Sequence, residues 1–198
     1  MKMNTHSDID SQESIILADI YQFLAFTMGY PEPELIDNPF LDAMEKMLEN
    51  YEMHSEQQEI DAWRQSEKDA NLSDTLQIEY TRLFINAAPK IIAPPYASFY
   101  IDGDQNLQGK TTQKTRDYYR QYGCDITNPH EPADHIRLEL EFLASLCRDY
   151  ELDAEEIFLN TLFRPWFNQF YHRIIEDQGH PFYRVSVQLI DYITKEEQ

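Results

Sequence analysis

His130-Glu131-Pro132-Ala133-Asp134-His135-Ile136-Arg137-Leu138-Glu139-Leu140-Glu141-Phe142-Leu143 is the stretch that decides the fold. A proline and an acid stand where a helix would begin. Apolar residues then recur at Ile136, Leu140, Leu143, Cys147 and Tyr150, the spacing of one helical face. Pro132 suits the first helical position, where a missing N–H costs nothing. Asp134 there would be favoured by the positive end of the helix dipole. Upstream lies Pro94-Pro95-Tyr96-Ala97-Ser98-Phe99-Tyr100. Its prolines forbid helix, so an extended crossover over 96–101, anchored by its aromatic rings, is expected.

The same helical period extends outward in both directions. Ile16, Ile20, Phe23, Leu24 and Thr27 line one face of a first helix, ended by Gly29-Tyr30-Pro31-Glu32-Pro33. Phe40, Met44, Met47, Leu48 and Tyr51 mark a second helix, and a polar third covers 55–68 with Trp63 inside it. Leu72, Leu76, Tyr80, Leu83 and Phe84 mark a fourth, with Asn71 or Ser73 as its cap. Ala88-Pro89 interrupts the pattern, Asp102-Gly103-Asp104 reads as a turn, and 109–122 is a short helix closed by Gly123. After a loop at 125–132, helical spacing resumes in 155–163. It continues from Arg164-Pro165 through Trp166, Phe170, Ile174 and Ile175, and again from Phe182 through Val185, Leu189 and Tyr192. The expectation is an all-α bundle of about eight to ten helices with an extended Pro/aromatic crossover. Residues 1–12 read as a flexible N-terminus and 13–194 as a single all-helical domain, with a possible hinge at 125–132.

Composition narrows the function classes. The chain has 198 residues, 42% apolar and 13% aromatic, enough for a packed core. Thirty-six acids face 16 Lys+Arg, a net charge of −20. That charge disfavours nucleic acid and anionic membranes and attracts a cationic partner. Cys124 and Cys147 are the two cysteines and form no CxxC pair, so they read as reduced thiols. Residues 1–14 lack a basic stretch followed by an apolar one, and no run of about 18 apolar residues occurs. A cytoplasmic location is expected.

Enzyme chemistry finds little support. Glu131, His135 and Glu139 stand at i, i+4, i+8 and could share a helical face, but a di-metal bundle needs a second such element, and none exists. Asp134 and His135 are neighbours, about 100° apart on a helix, and cannot pair as a triad does. No nucleophile elbow or P-loop is present. No catalytic residue, metal or cofactor is therefore expected. Across 131–160, nine acids oppose Arg137 and Arg148. That pattern is either a solvated face or a docking surface for a basic, apolar peptide.

Three segments together carry a family likeness: Tyr80-x-Arg82-Leu83-Phe84, Pro95-Tyr96-Ala97-Ser98-x-Tyr100, and Glu131-Pro132-Ala133-Asp134-His135 followed by Glu139-Leu140. They resemble the TorD/DmsD/NarJ family of molybdoenzyme maturation chaperones, and the wording is most similar to the TorD branch. Trp166, Phe170 and Pro181-Phe182-Tyr183 are similar too. Many relatives carry Gly-Pro where Ala88-Pro89 stands, and other branches often carry Glu where Ala97 stands.

The resemblance implies a cytoplasmic chaperone that binds the twin-arginine signal peptide and the apo form of a molybdenum-containing reductase, with trimethylamine N-oxide reductase as the client. Such a chaperone assists cofactor insertion, delays export, and acts as a monomer or helix-swapped dimer. The implied peptide-binding residues are Tyr21, Leu83, Phe84, Tyr96, Pro132, Asp134 and His135. On this view Asp134 faces the arginines, while Leu83, Phe84 and Tyr96 face the apolar end. The alternatives are a metal-dependent helical enzyme using Glu131, His135 and Glu139, or a general acidic adaptor.

Overall fold

A computed structural model describes residues 5–33, 36–67, 72–86, 91–103, 108–124 and 131–195, with side chains from residue 11 onward. The α-helices are α1 (Thr5–Thr27), α2 (Asn38–Asn50), α3 (His54–Ser66), α4 (Leu72–Tyr80), α5 (Ala97–Ile101), α6 (Lys110–Gln121), α7 (Ile136–Arg148), α8 (Leu152–Phe158), α9 (Arg164–Asp177) and α10 (Pro181–Thr194). Single π-helical turns follow α4 (Thr81–Ile85) and α8 (Leu159–Phe163). Each contains a threonine hydroxyl that donates to the carbonyl four residues back: Thr81 to Gln77 at 2.8 Å and Thr161 to Ile157 at 2.6 Å. Such back-bonds compete with the regular ladder. Among the described residues, the β pairing is one isolated antiparallel bridge, Tyr96 with His135. No helix there is long and apolar enough to cross a membrane.

The chain groups into two compact units: Met1–Phe26 with Pro95–Gln169, and Thr27–Pro94 with Phe170–Gln198. Helix α1 begins at Thr5.

In the first unit, α7 buries Ile136, Leu140, Leu143, Ala144 and Cys147 completely. The Phe142 ring meets Tyr119 of α6 at 4.4 Å and Phe158 of α8 at 5.0 Å between centroids. Helix α1 is tied on by two polar side chains: the Ser14 hydroxyl donates to the Cys147 carbonyl at 2.6 Å, and the Tyr21 hydroxyl donates to Glu155 Oε1 at 2.5 Å. Burial pushes the Cys147 thiol up to about 12, which leaves it protonated and inert.

In the second unit, α2 and α10 both pack against α3. Phe182 lies 6.0 Å from Trp63 and 6.4 Å from Phe40, and the Tyr183 hydroxyl donates to the Leu76 carbonyl at 3.1 Å.

Several local expectations are corrected. The 96–101 segment is not extended throughout: Tyr96 is (φ −131°, ψ 127°), but α5 begins at the next residue. Pro132 is not the first helical residue of α7, because His135 is the N-cap and Pro132 opens the turn before it. Tyr150 leaves the α7 stripe with φ of 64° and stands exposed. Ser73 lies inside α4 rather than capping it. Asn71, Ala88-Pro89, Asp104 and residues 125–130 of the hinge lie outside the described residues.

The face of α1 also differs from expectation. The buried side carries Ser14, Ala18, Tyr21, Leu24 and Ala25, while Ile16 is 53% exposed and Ile20 and Phe23 are half-buried. Apolar residues occur all round this helix, so period alone does not select its inner side. The hydrogen bonds of Ser14 and Tyr21 do. Leu24→Ala should therefore cost about 2–5 kcal/mol, whereas Ile16→Ser should stay within about 0.5 kcal/mol of wild type. Urea denaturation of the two variants checks this orientation.

Candidate functional site

Two sequence-distant segments, 95–98 and 131–136, are stapled together backbone to backbone. The Ala97 N–H donates to the Asp134 carbonyl at 3.0 Å, and the Ile136 N–H donates to the Pro95 carbonyl at 2.9 Å. The Ser98 N–H donates to Asp134 Oδ2 at 2.7 Å. Asp134 thus supplies, with its carbonyl and its carboxylate, acceptors for the first N–H groups of α5, which no neighbouring side chain caps. This long-range cap lets a helical turn form directly after Pro95 and Tyr96.

Nearly every residue of 131–136 has a structural use. The Pro132 carbonyl accepts from the His135 N–H at 3.1 Å. The Ala133 carbonyl accepts from the Tyr119 hydroxyl at 2.9 Å. His135 Nδ1 accepts from the Arg137 N–H at 3.1 Å and so caps α7. The Tyr96 ring meets the His135 ring edge-on at 5.0 Å, and the Tyr96 hydroxyl donates to Glu131 Oε1 at 3.1 Å. One turn into α7, buried Glu139 accepts from the Trp166 indole N–H through Oε2 at 3.0 Å, and Trp166 stacks on Tyr100 at 5.6 Å.

The electrostatics follow from burial. Desolvation, with the charge of Asp134 adding to it, holds Glu139 well above the usual carboxylate range; the Trp166 N–H works the other way. Desolvation, and then the Arg137 guanidinium, push His135 down to about 3. His135 is therefore neutral throughout the physiological range, its Nδ1 lone pair occupied by a backbone N–H. Asp134 Oδ1 and Glu139 Oε1 are buried with no hydrogen-bond partner among the described residues. A protonated Glu139 has a proton to donate from Oε1.

The seven sequence-predicted residues are distributed unevenly. Tyr96, Pro132, Asp134 and His135 come together in the staple. Tyr21 belongs to the same unit, and its hydroxyl goes to Glu155. Leu83 and Phe84 belong to the second unit, in the π-helical turn after α4. There Phe84 packs against Tyr80, Phe170 and Tyr183 at 4.9, 5.9 and 5.3 Å.

Six of the seven are buried, and Tyr96 is half-buried. Asp134, at 0% exposure, does not offer its carboxylate to an arginine in solution, and Leu83 and Phe84 are core side chains. Glu131, His135 and Glu139 do not form a ligand row on one helix, because α7 starts after His135. Among the described residues no group of three His, Cys, Asp or Glu could hold a metal ion.

Sequence reasoning did not single out a cleft of about 540 Å³ in the second unit, lined by Asn38, Glu45, Asp61, Arg64, Gln65, Glu67 and Leu72. Its cation, Arg64, is already paired with Asp42 at 2.8 Å and Glu45 at 2.5 Å. Its lining residues come from α2, α3 and the start of α4, with no shared motif spacing to announce them.

Two measurements test the staple. Asp134→Ala strands a buried N–H and should lower the unfolding free energy by about 1–3 kcal/mol, with Asp134→Asn losing less because an acceptor remains. Glu139 holds a proton in the folded state that the unfolded chain releases above 4.5, so its contribution to stability falls as pH rises from that value. His135 acts oppositely: neutral when folded and charged when unfolded between about 3 and 6.5, it contributes stability above 6.5 that is lost as pH falls. Thermal unfolding across pH should show the alkaline-side decline flattened in Glu139→Gln and the acid-side decline flattened in His135→Asn.

Comparison with known proteins places this geometry. Residues 39–172 match the family described as nitrate reductase delta subunit. The chaperone protein TorD of Vibrio vulnificus (strain YJ016) is 25% identical over 201 residues, covering 94% of this chain and 81% of that one. The Tat proofreading chaperone DmsD of Salmonella typhimurium is 32% identical over 120 residues, covering 59% of this chain and 57% of that one. In fold, the chain is similar to a solved Archaeoglobus fulgidus protein described as a redox enzyme maturation protein, with a TM-score of 0.60, 24% identity and 98% of each chain covered. With the family match spanning more than half of its length, the chain belongs to the nitrate reductase delta subunit family, and its relatives include the chaperones TorD and DmsD.

Proposed function

We propose that this protein is a cytoplasmic chaperone, and not an enzyme, for a molybdenum-containing reductase, most consistent with trimethylamine N-oxide reductase. It holds the client's twin-arginine leader and apo form while the cofactor is inserted, and so delays export. The observation that carries this reading is the likeness to a TorD chaperone over 94% of the chain. The use of Asp134 and His135 supports it from a second side. Both are committed to backbone N–H groups, which removes them as an acid–base pair.

The physics of such a ligand fits the chain. A twin-arginine leader presents two cations and then an apolar run. Burying the run contributes about 0.8 kcal/mol per CH₂. The net charge of −20 speeds encounter with the arginines, an effect weakened by salt. Of the seven expected peptide-binding residues, Tyr96 is the one that is half-buried and not fully buried. In this reading it touches the leader directly, while Pro132, Asp134 and His135 hold the segment that carries it, and Tyr21, Leu83 and Phe84 each pack within their own unit. A general acidic adaptor would instead follow the partner's charge alone.

Isothermal titration with a synthetic leader separates these readings. The leader should bind wild type, and Tyr96→Ala should weaken it about tenfold, or about 1.4 kcal/mol. A leader whose apolar run is replaced by serine should lose most of its affinity. Equal binding of both leaders would establish the adaptor, and no binding of either would overturn the chaperone reading.

A further inference from the structure

Helix α1 shows an apolar side to solvent. Ile15, Ile16 and Phe26 are exposed, at 47%, 53% and 37%, and Ile20 and Phe23 are half-buried along the same side. Ile16, Ile20 and Phe23 follow one another at i, i+4, i+7, so they form a row rather than scattered single residues. Isolated exposed apolar residues are ordinary; a contiguous row with a polar border marks a surface that binds something.

The border is acidic. Asp19 lies within the row, its side chain 71% exposed, and meets Arg148 at the loose distance of 3.5 Å. Arg148 also reaches Gln22 at 3.5 Å, which brings the end of α7 against this side of α1. The α7–α8 turn follows at once, with exposed Asp149, Glu151 and Asp153 interleaved with exposed Tyr150 and Leu152. The positive φ of Tyr150 turns the chain sharply there. Across residues 11–26 and 148–153 together, Arg148 is the one lysine or arginine. Its exposed pairing with Asp19 is of a kind worth about 0–1 kcal/mol. An incoming guanidinium could take that carboxylate at little cost.

We propose that the outward face of α1, with the acidic α7–α8 turn beside it, docks the arginine-tipped apolar leader. Ile15, Ile16 and Phe26 cover its apolar run, and Asp19 and the turn carboxylates pair with its arginines. The occupant is chosen by charge and apolarity together: a second copy of this chain would bring another acidic surface against this one, whereas the leader brings the complementary sign. The inference rests on the chaperone reading above and adds a surface that none of the seven expected residues belongs to.

The test uses the full chain and a synthetic peptide of two arginines followed by an apolar run, titrated against Ile16→Glu, Phe26→Ser, Asp19→Asn and Ile78→Glu. Ile78 is 72% exposed in the other unit and serves as the control. Circular dichroism and thermal unfolding establish that each variant folds. Ile16→Glu and Phe26→Ser should weaken binding at least tenfold, Asp19→Asn should reduce both affinity and its salt dependence, and Ile78→Glu should bind as wild type does. Wild-type affinity in the three α1 variants would overturn this assignment while leaving the chaperone reading intact. Absence of binding by wild type would instead overturn the chaperone reading. Sedimentation of a wild-type dimer that Ile16→Glu separates, with peptide affinity unchanged, would also overturn the proposal and assign the face to self-association.

Discussion

The first unit depends on a single buried carboxylate. Asp134 closes the N-terminus of α5, a helix only five residues long, from 36 positions away in sequence. A helix that short does not persist on its own, because nucleation is costly and propagation has no length in which to repay it. Its donors must be satisfied from outside, and Asp134 satisfies them with both of its acceptor groups. The same loop caps α7 through His135 and accepts from the Tyr119 hydroxyl of α6 through Ala133, so it serves as the N-terminal cap of two helices and the anchor of a third. Removing any one partner leaves a buried polar group without its hydrogen bond, which is costlier than never having made the bond.

Such an arrangement changes what the motif means for recognition. A motif that looks like a row of ligand contacts is here a piece of framework, and its charged members face inward. Glu139 belongs to the same framework: it accepts from the Trp166 indole N–H, and burial together with the charge of Asp134 holds its carboxyl well above the usual range. The same framework positions Tyr96, whose ring rests on His135 and whose hydroxyl donates to Glu131. Of the side chains discussed, Tyr96 keeps partial exposure, and on the outward side of α1 Ile15, Ile16 and Phe26 are exposed.

Much of the architecture was legible from period alone. The start of α9 follows from Arg164-Pro165, its end and the start of α10 from the Gly179-His180-Pro181 break, and the stripe Ile136, Leu140, Leu143, Cys147 of α7 is buried as its spacing implies. Period is ambiguous where apolar residues surround a helix. Helix α1 has apolar residues on every side, so its inner face is selected by the hydrogen bonds of Ser14 and Tyr21 and not by spacing. In segment 96–101, Pro94 and Pro95 dominate local propensity and favour an extended chain, and the cap that overrides them is remote in sequence. The acidic cleft around Arg64 left no trace, since its residues come from three helices.

The amino-acid sequence by itself determined that the chain is helical, that its surface is strongly acidic, and which short motifs link it to its family. These properties are local or additive: period, propensity and charge need no knowledge of what lies next to what. Only the tertiary structure decided that Asp134 looks inward to cap α5, that His135 is a neutral N-cap, and that α1 turns isoleucines to water. Each of those outcomes depends on which distant backbone groups must be satisfied inside a packed unit, and a buried N–H selects its acceptor by proximity in space, whatever the distance along the chain.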